Sequence, residues 1–144
     1  KTFEGMFDRG KAPLKNRQNI IVTSQAADYR LRFAEACTSS NDDQYSPSQL
    51  TFITDLNCVD LEVDGKVFYC GGAEIYHQSI EFVDVMYLTR FQESYDCDTF
   101  FPKSSQSTTT EFIPYIPPHL TLSSTEQILG DKSFTLQTYT RDRR

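Results

Sequence analysis

The sequence predicts an α/β fold with a mixed, mostly parallel central sheet, flanking helices and an antiparallel strand at the C-terminus. Strand-like and helix-like segments alternate along much of the chain, which is typical of α/β proteins. The last segment, Phe134–Thr140, instead alternates apolar and polar residues, as a half-exposed antiparallel strand does. The chain has 144 residues, a length that suits one domain with a real core, so residues 1–144 are expected to form a single domain.

Three short apolar segments, at Asn19–Ser24, Val67–Cys70 and Val85–Thr89, predict strands buried on both faces. A helix is predicted from Ala73 to Glu81, because its apolar residues recur at helical spacing. These segments supply the alternation on which the α/β prediction depends.

The remaining segments carry weaker signals. Ser46-Pro47 is a good helix start, and Leu50 and Ile53 continue the helical period. We expect irregular connections over 25–46 and 103–132. Taken alone, Asp64-Gly65 favours a hairpin whose second strand would be Val67–Cys70.

Composition excludes several classes of function. The net charge of −6 and the pI of about 4.8 disfavour binding to nucleic acid, and no apolar run is long enough for a membrane helix. The cysteines at 37, 58, 70 and 97 have no CxxC spacing, so we expect no metal site. Reduced thiols in an intracellular compartment, cytoplasmic or mitochondrial, are the favoured interpretation.

The sharpest local feature is Gly71-Gly72, placed between a predicted strand and a predicted helix. A helix N-terminus presents unpaired N–H groups and a partial positive charge, and glycine allows a phosphate to approach the backbone closely. On the pair alone, a tight strand-to-helix turn without any ligand is the favoured interpretation. The two glycines alone still leave both interpretations open.

A wider set of motifs resembles the dihydrofolate reductase family. The segments that carry this resemblance, in the family's order and spacing, are Val67–Tyr76, Tyr87–Arg90 and Asp98–Pro102, with Lys1–Glu4, Pro13–Ser24 and Phe134–Arg141 as weaker matches. The resemblance covers the C-terminal two-thirds of the family's pattern. The family's N-terminal portion, which carries its catalytic acid, has no counterpart in residues 1–144.

The resemblance implies NADPH-dependent reduction of dihydrofolate to tetrahydrofolate. The residues that it assigns to the cofactor are Lys1, Thr2, Thr23, Ser24, Gly71, Gly72, Ala73, Glu74 and Ile75. It assigns Leu14, Arg17 and Cys70 to the substrate, and Thr89 and Tyr76 to the support of catalysis. It also implies a cis peptide bond between Gly71 and Gly72, and it places Val67–Cys70 as a central parallel strand, against the hairpin.

Each assignment has a plainer alternative. Arg17 is otherwise a solvated charge, Tyr76 and Ile75 are otherwise core residues, and Thr89 is otherwise a β-former in a strand. Lys1 is otherwise only a chain end.

Two hypotheses follow from the resemblance. In the first, the chain is an enzyme that is active only when a second polypeptide segment supplies the missing acid and the strands on both sides of Val67–Cys70. In the second, it is a non-catalytic subunit with a structural or binding role in a larger assembly. Retention of Arg17, Gly71-Gly72 and Thr89 favours the first, whereas the poorly matching region 25–64 favours the second.

Overall fold

The computed structural model shows an α/β chain that divides into two compact units, Lys1–Phe68 and Tyr69–Arg144. The residues that the structure describes are 2–15, 17–39, 50–59, 65–108, 111–130 and 132–142. The prediction that residues 1–144 form one domain stays a prediction, and each unit is described by itself below.

The first unit is built on a pair of parallel strands. Helix α1 (Thr2–Phe7) precedes strand β1 (Asn19–Val22), helix α2 (Ala26–Ser39) follows it, and strand β2 (Leu50–Ile53) comes next. The strands pair in the register Asn19↔Leu50 to Val22↔Ile53. Parallel strands need a crossover connection, and α2 forms part of it. A short 3-10 turn, Leu56–Cys58, follows β2.

An aromatic cluster forms the core of the first unit. Phe33 of α2 and Phe52 of β2 are both 3% exposed, and their rings stack with centroids 5.8 Å apart. Phe3 and Phe7 of α1, one helical turn apart, pack edge-on against Phe33 at 4.9 and 4.8 Å. The cluster thereby joins α1, α2 and the parallel pair.

The prediction of an irregular connection over 25–46 is wrong for the helical residues Ala26–Ser39. The positions that suggested a helical period, Ala27, Leu31 and Ala34, are all exposed. The buried face instead carries Ala26 and Phe33, with Tyr29 packed beside them. Because so few residues on this face are aliphatic, the amphipathic pattern was easy to miss. Residues 40–46 lie outside the described residues.

The helix expected to continue through Leu50 and Ile53 is also wrong, since these residues form strand β2. Backbone pairing with β1 and burial of Phe52 outweigh the weak helical spacing of the apolar residues. The proposed helix start at Ser46-Pro47 and the turn residue Asp64 lie outside the described residues.

The second unit contains one helix and an antiparallel sheet. Helix α3 (Ala73–Ser79) is followed by strands β3 (Val85–Phe91), β4 (Leu120–Ile128) and β5 (Phe134–Arg141). The strand order is β3-β5-β4, with registers from Val85↔Thr140 to Phe91↔Phe134 and an irregularity in β4 between Leu122 and Ser124. The expected α3, β3 and C-terminal antiparallel strand are confirmed as elements, but the predicted burial of β3 on both faces is wrong, since Met86 is its one buried residue.

A second core lies on one face of this sheet. Ile80, directly after α3, is 6% exposed and clusters with Met86 of β3 and Leu120 of β4. Val83, Phe101, Tyr115, Ile116 and Tyr139 pack against these three residues. The same cluster therefore fixes the end of α3 against the strands.

The structure assigns no strand to Val67–Cys70, so the central strand predicted there is wrong. Val67 and Phe68 are 40% and 62% exposed. The composition favours a strand, but a strand also needs a partner to satisfy its backbone groups. The parallel and antiparallel strands accordingly form two separate sheets in the described part of the chain, rather than one mixed sheet.

The irregular connection expected over 103–132 is wrong for its second half, where β4 runs from Leu120 to Ile128. Residues 121–127 are all exposed and mostly polar, so no buried apolar pattern marks the strand. Its backbone pairing with β5, rather than side-chain burial, holds it in place.

No helix in the described part of the chain combines the length and the apolar character needed to cross a membrane.

We expect Phe33→Ala to lower the free energy of unfolding by about 3–5 kcal/mol, because it removes the ring on which both α1 and β2 pack. Leu31→Ala is the matched control: this side chain lies on the same helix but is 70% exposed, and its loss should change stability by less than about 0.5 kcal/mol. Urea unfolding followed by circular dichroism measures both. Equal effects of the two substitutions would contradict the assigned core.

Candidate functional site

Position 71 in the Gly71-Gly72 turn has a backbone and surroundings that suit glycine far better than any other residue type. The peptide bond between the two glycines is cis, as expected, and Gly71 has a φ of +84°. A Cβ atom added to Gly71 would lie 2.9 Å from Cε2 of the Tyr76 ring. A side chain at this position would therefore meet both an unfavourable backbone conformation and the Tyr76 ring.

The first turn of α3 begins directly after these glycines. Gly72 occupies the N-cap position and offers no side-chain cap, and its carbonyl accepts the first helical bond from the Tyr76 N–H at 3.1 Å. The N–H groups of Ala73, Glu74 and Ile75 precede that bond, so the helix itself gives them no acceptor. This arrangement presents three backbone donors beside an exposed glycine.

Glu74 places a carboxylate in that first turn, where it would repel an anion. Its Oε1 accepts a hydrogen bond of 2.7 Å from Nε2 of Gln78, one helical turn further on. The Glu74 carboxylate is therefore held along the exposed side of α3. The donors of the first turn remain available to another acceptor.

Tyr76 connects the glycine turn to the loop after β3. Its ring is half-buried and lies 5.2 Å from the Phe101 ring, centroid to centroid. Burial raises the pKa of the Tyr76 hydroxyl above its ordinary value, and the electrostatic interaction with the neighbouring Cys70 adds to that rise. The hydroxyl therefore stays protonated across the physiological range, next to the exposed Cys70.

The cofactor residues assigned in the first unit lie at two places. Thr23 and Ser24 connect β1 to α2: the Thr23 N–H donates to the Ile53 carbonyl at 2.8 Å, and Thr23 Oγ1 accepts from the Gln25 N–H at 3.3 Å. Thr2 is exposed at the start of α1. Lys1 lies outside the described residues, so its convergence with these hydroxyl groups stays a prediction.

The substrate residues assigned in the first unit share one loop. Leu14 is half-buried and Arg17 is exposed, and Arg17 Nε donates to the Lys15 carbonyl at 3.1 Å. In the described part of the chain, no acidic side chain forms an ion pair with Arg17. An exposed guanidinium without an acidic neighbour can receive a ligand carboxylate.

Thr89 lies in the middle of β3, opposite Leu136 of β5, and its side chain is exposed.

The sequence analysis did not predict two contacts around the candidate site. One is the packing of Tyr76 on Gly71, and the other is a set of hydrogen bonds from Asn19 to the loop that carries Leu14 and Arg17. The asparagine in Arg17-Gln18-Asn19 was the available signal for the second.

Histidine, cysteine, aspartate and glutamate side chains form no group of three or more that could hold a metal ion among the described residues. The feature that the described residues do form is a glycine turn that leads into the uncapped first turn of a helix.

Comparison with known proteins identifies the family. The family model described as dihydrofolate reductase matches residues 1–113, and the chain belongs to this family. Dihydrofolate reductase of Staphylococcus aureus (strain Mu50 / ATCC 700699) is 31% identical over 102 residues, which cover 71% of this chain and 50% of that protein. Dihydrofolate reductase of Bacillus subtilis (strain 168) is 33% identical over 107 residues, which cover 74% and 52%.

The chain spans about half the length of the curated relatives that it matches. The family match includes the glycine turn, α3 and β3, and it ends before β4 and β5. The resemblance of Phe134–Arg141 to the family's terminal strand therefore stays a prediction.

We expect Gly71→Ala to destabilise the second unit by about 1–3 kcal/mol, because alanine would adopt a positive φ and its Cβ would meet the Tyr76 ring. Gly130→Ala is the matched control, since a Cβ there has no atom within 4 Å. Chemical denaturation of both variants measures the difference. Equal stability of the two variants would show that the ring does not pack on Gly71.

Proposed function

We propose that this chain carries the cofactor-binding and part of the substrate-binding machinery of an NADPH-dependent dihydrofolate reductase. The observation that carries the proposal is the Gly71-Gly72 turn, with its open backbone donors, inside a region that matches the family. The chemistry would be the reduction of dihydrofolate to tetrahydrofolate. NADPH would supply the hydride when bound.

The residues of the second unit fit the pyrophosphate of such a cofactor. The N–H groups of Ala73, Glu74 and Ile75 begin a helix, where the helix dipole also favours an anion. Gly71 and Gly72 carry no side chain that would block the approach. The Glu74 carboxylate, whose charge would oppose binding, is engaged by Gln78.

Lys1, Thr23 and Ser24 are proposed to hold the adenosine 2′-phosphate, and Thr2 is proposed to hydrogen-bond a phosphate of the cofactor. A cation and several hydroxyl groups suit a dianion, because charge-assisted hydrogen bonds are stronger than neutral ones. Exposure of Thr2 and Ser24 supports this assignment.

On the substrate side, Arg17 is proposed to bind the glutamate α-carboxylate of the folate, and Leu14 to contact its benzoyl group. Cys70 and Tyr76 would border the reacting rings, and Thr89 would support the catalytic carboxylate through a hydrogen bond. The exposed Arg17 guanidinium and the half-buried Leu14 have the character that these roles require.

We further propose that a second polypeptide segment, either the N-terminal portion of the same protein or a partner subunit, supplies the acid and completes the sheet. Among the described residues, β3 pairs on one edge only, with β5. Its Tyr87 and Phe91 are 62% and 49% exposed. A strand added at this edge would pair with the open backbone groups of β3 and could cover the exposed side chains of Tyr87 and Phe91.

The alternative function is a non-catalytic subunit of a larger assembly, which the same uncovered edge also fits. The two candidates differ in whether the completed protein turns over dihydrofolate. For either candidate, the exposed free thiols of Cys58 and Cys97 suit a reducing compartment, and we propose that the protein is located in one.

We expect the isolated chain to show negligible dihydrofolate turnover, because protonation of the substrate by a positioned acid is worth about 10²–10⁴-fold and that acid is assigned to the second segment. Co-expression with the complementing segment should restore NADPH oxidation, measured at 340 nm. The complemented Gly71→Ala variant is the control, and it should bind NADPH more weakly. A complemented protein that binds NADPH without turnover would favour the non-catalytic alternative. Turnover by the isolated chain would show that the acid is misplaced.

We expect the complemented protein to bind NADPH more tightly than NADH, by about 10-fold or more, because a charge-assisted contact contributes about 1.5–3 kcal/mol. Lys1→Ala combined with Ser24→Ala should remove most of this preference, while Ser105→Ala, at an exposed site in the other unit, should preserve it. Fluorescence titration with both nucleotides measures the ratio. Equal affinities in the unmodified protein would refute the assigned phosphate site.

A further inference from the structure

The side chain of Asn19, the first residue of β1, forms three hydrogen bonds with the backbone of the loop that carries Leu14 and Arg17. Asn19 Oδ1 accepts a hydrogen bond of 2.8 Å from the Leu14 N–H. Its Nδ2 donates to the Leu14 carbonyl at 2.9 Å and to the Arg17 carbonyl at 3.0 Å. The amide thus uses both of its N–H donors and one oxygen acceptor on this loop.

The orientation of this amide is fixed by its partners. A flipped side chain would place Nδ2 against the Leu14 N–H and Oδ1 against two carbonyl oxygens, and all three hydrogen bonds would be lost. Asn19 is in turn anchored by the pairing of β1 with β2, where it lies opposite Leu50. Asn19 therefore links the geometry of the loop to the pair of parallel strands.

Asn19 bonds the backbones of Leu14 and Arg17, and both of these residues are assigned to the part of the substrate that carries the glutamate. Leu14 is assigned to the benzoyl group and Arg17 to the carboxylate that follows it. Arg17 Nε is also occupied by the Lys15 carbonyl, so the loop backbone and the guanidinium are linked. A shift of the Arg17 carbonyl would therefore move the guanidinium relative to Leu14.

We propose that Asn19 is a positioning residue for recognition of the glutamate-bearing end of the substrate, which it governs by fixing the spacing between Leu14 and the Arg17 guanidinium. This inference rests on the proposed dihydrofolate reductase function. Asn19 touches no substrate in this account and acts only through the backbone of the other two residues. Its loss lowers the fraction of protein in which Arg17 is correctly placed, and apparent affinity falls by that fraction.

The test compares two ligands in the complemented protein: dihydrofolate, and dihydropteroate, which lacks the glutamate. Asn19→Asp has nearly the same shape and keeps the acceptor for the Leu14 N–H, but it loses both donors to the carbonyl groups. We expect it to weaken dihydrofolate binding about 10-fold and dihydropteroate binding less than about 2-fold. Gln18→Ala is the matched control, since the neighbouring Gln18 side chain contacts Thr51 and not this loop.

A double-mutant cycle with Arg17→Ala separates positioning from general stability. In the Arg17→Ala background, Asn19→Asp should cause no further loss of dihydrofolate affinity, because there is no guanidinium left to position. Additive losses, or equal losses for both ligands, would overturn the inference. Asn19→Ala serves as a second variant, and failure of both variants to fold would reduce Asn19 to a structural residue and overturn it as well.

The outcome for the unmodified protein separates the two levels of the account. If it binds neither ligand, the proposed function fails, and the role of Asn19 falls with it. If it binds dihydrofolate more tightly than dihydropteroate but Asn19→Asp does not reduce that difference, the proposed function stands and the inference alone is wrong.

Discussion

The contact between the Tyr76 ring and the backbone of Gly71 is the constraint on which the arrangement of the second unit depends. The ring lies so close that a Cβ at position 71 would be 2.9 Å from Cε2. This approach fixes the turn that starts α3, and Ile80, directly after the helix, joins the core with Met86 and Leu120. The Tyr76 ring also contacts the Phe101 ring, which packs against this core.

Strand β3 lies at an edge of the sheet in the second unit, in the part of the chain that the structure describes. In the described part of the chain β3 pairs on one edge only, with β5, and its Tyr87 and Phe91 side chains are exposed. Unpaired backbone and uncovered apolar side chains are costly in isolation. The added segment proposed above would cover this edge and these side chains.

Several elements could be predicted from the sequence because the signal was local. Val85–Thr89 is a continuous apolar run, and the helix after Gly71-Gly72 has a clear apolar period, so β3 and α3 were predicted close to their observed bounds. The cis bond between the two glycines followed from the family resemblance. The glycine turn and the helix after it were therefore the most predictable part of the second unit.

Other features depend on contacts that no local pattern reports. Helix α2 buries Tyr29 and Phe33 rather than an aliphatic stripe, and β4 is held by backbone pairing with hardly any buried side chains. Val67–Cys70 has the composition of a strand, yet the structure assigns no strand there. The three hydrogen bonds of Asn19 depend on loop geometry, which spacing alone does not fix.

The most direct measurement of the central claim is an NMR titration of the complemented protein that follows the backbone amides of Ala73, Glu74 and Ile75. Addition of NADPH should shift all three amides, because they are assigned to the pyrophosphate. Adenosine 2′-monophosphate, which lacks the pyrophosphate, should shift the amides of Thr23 and Ser24 and leave those three unchanged. An NADPH titration that saturates without moving the amides of Ala73, Glu74 and Ile75 would contradict the account.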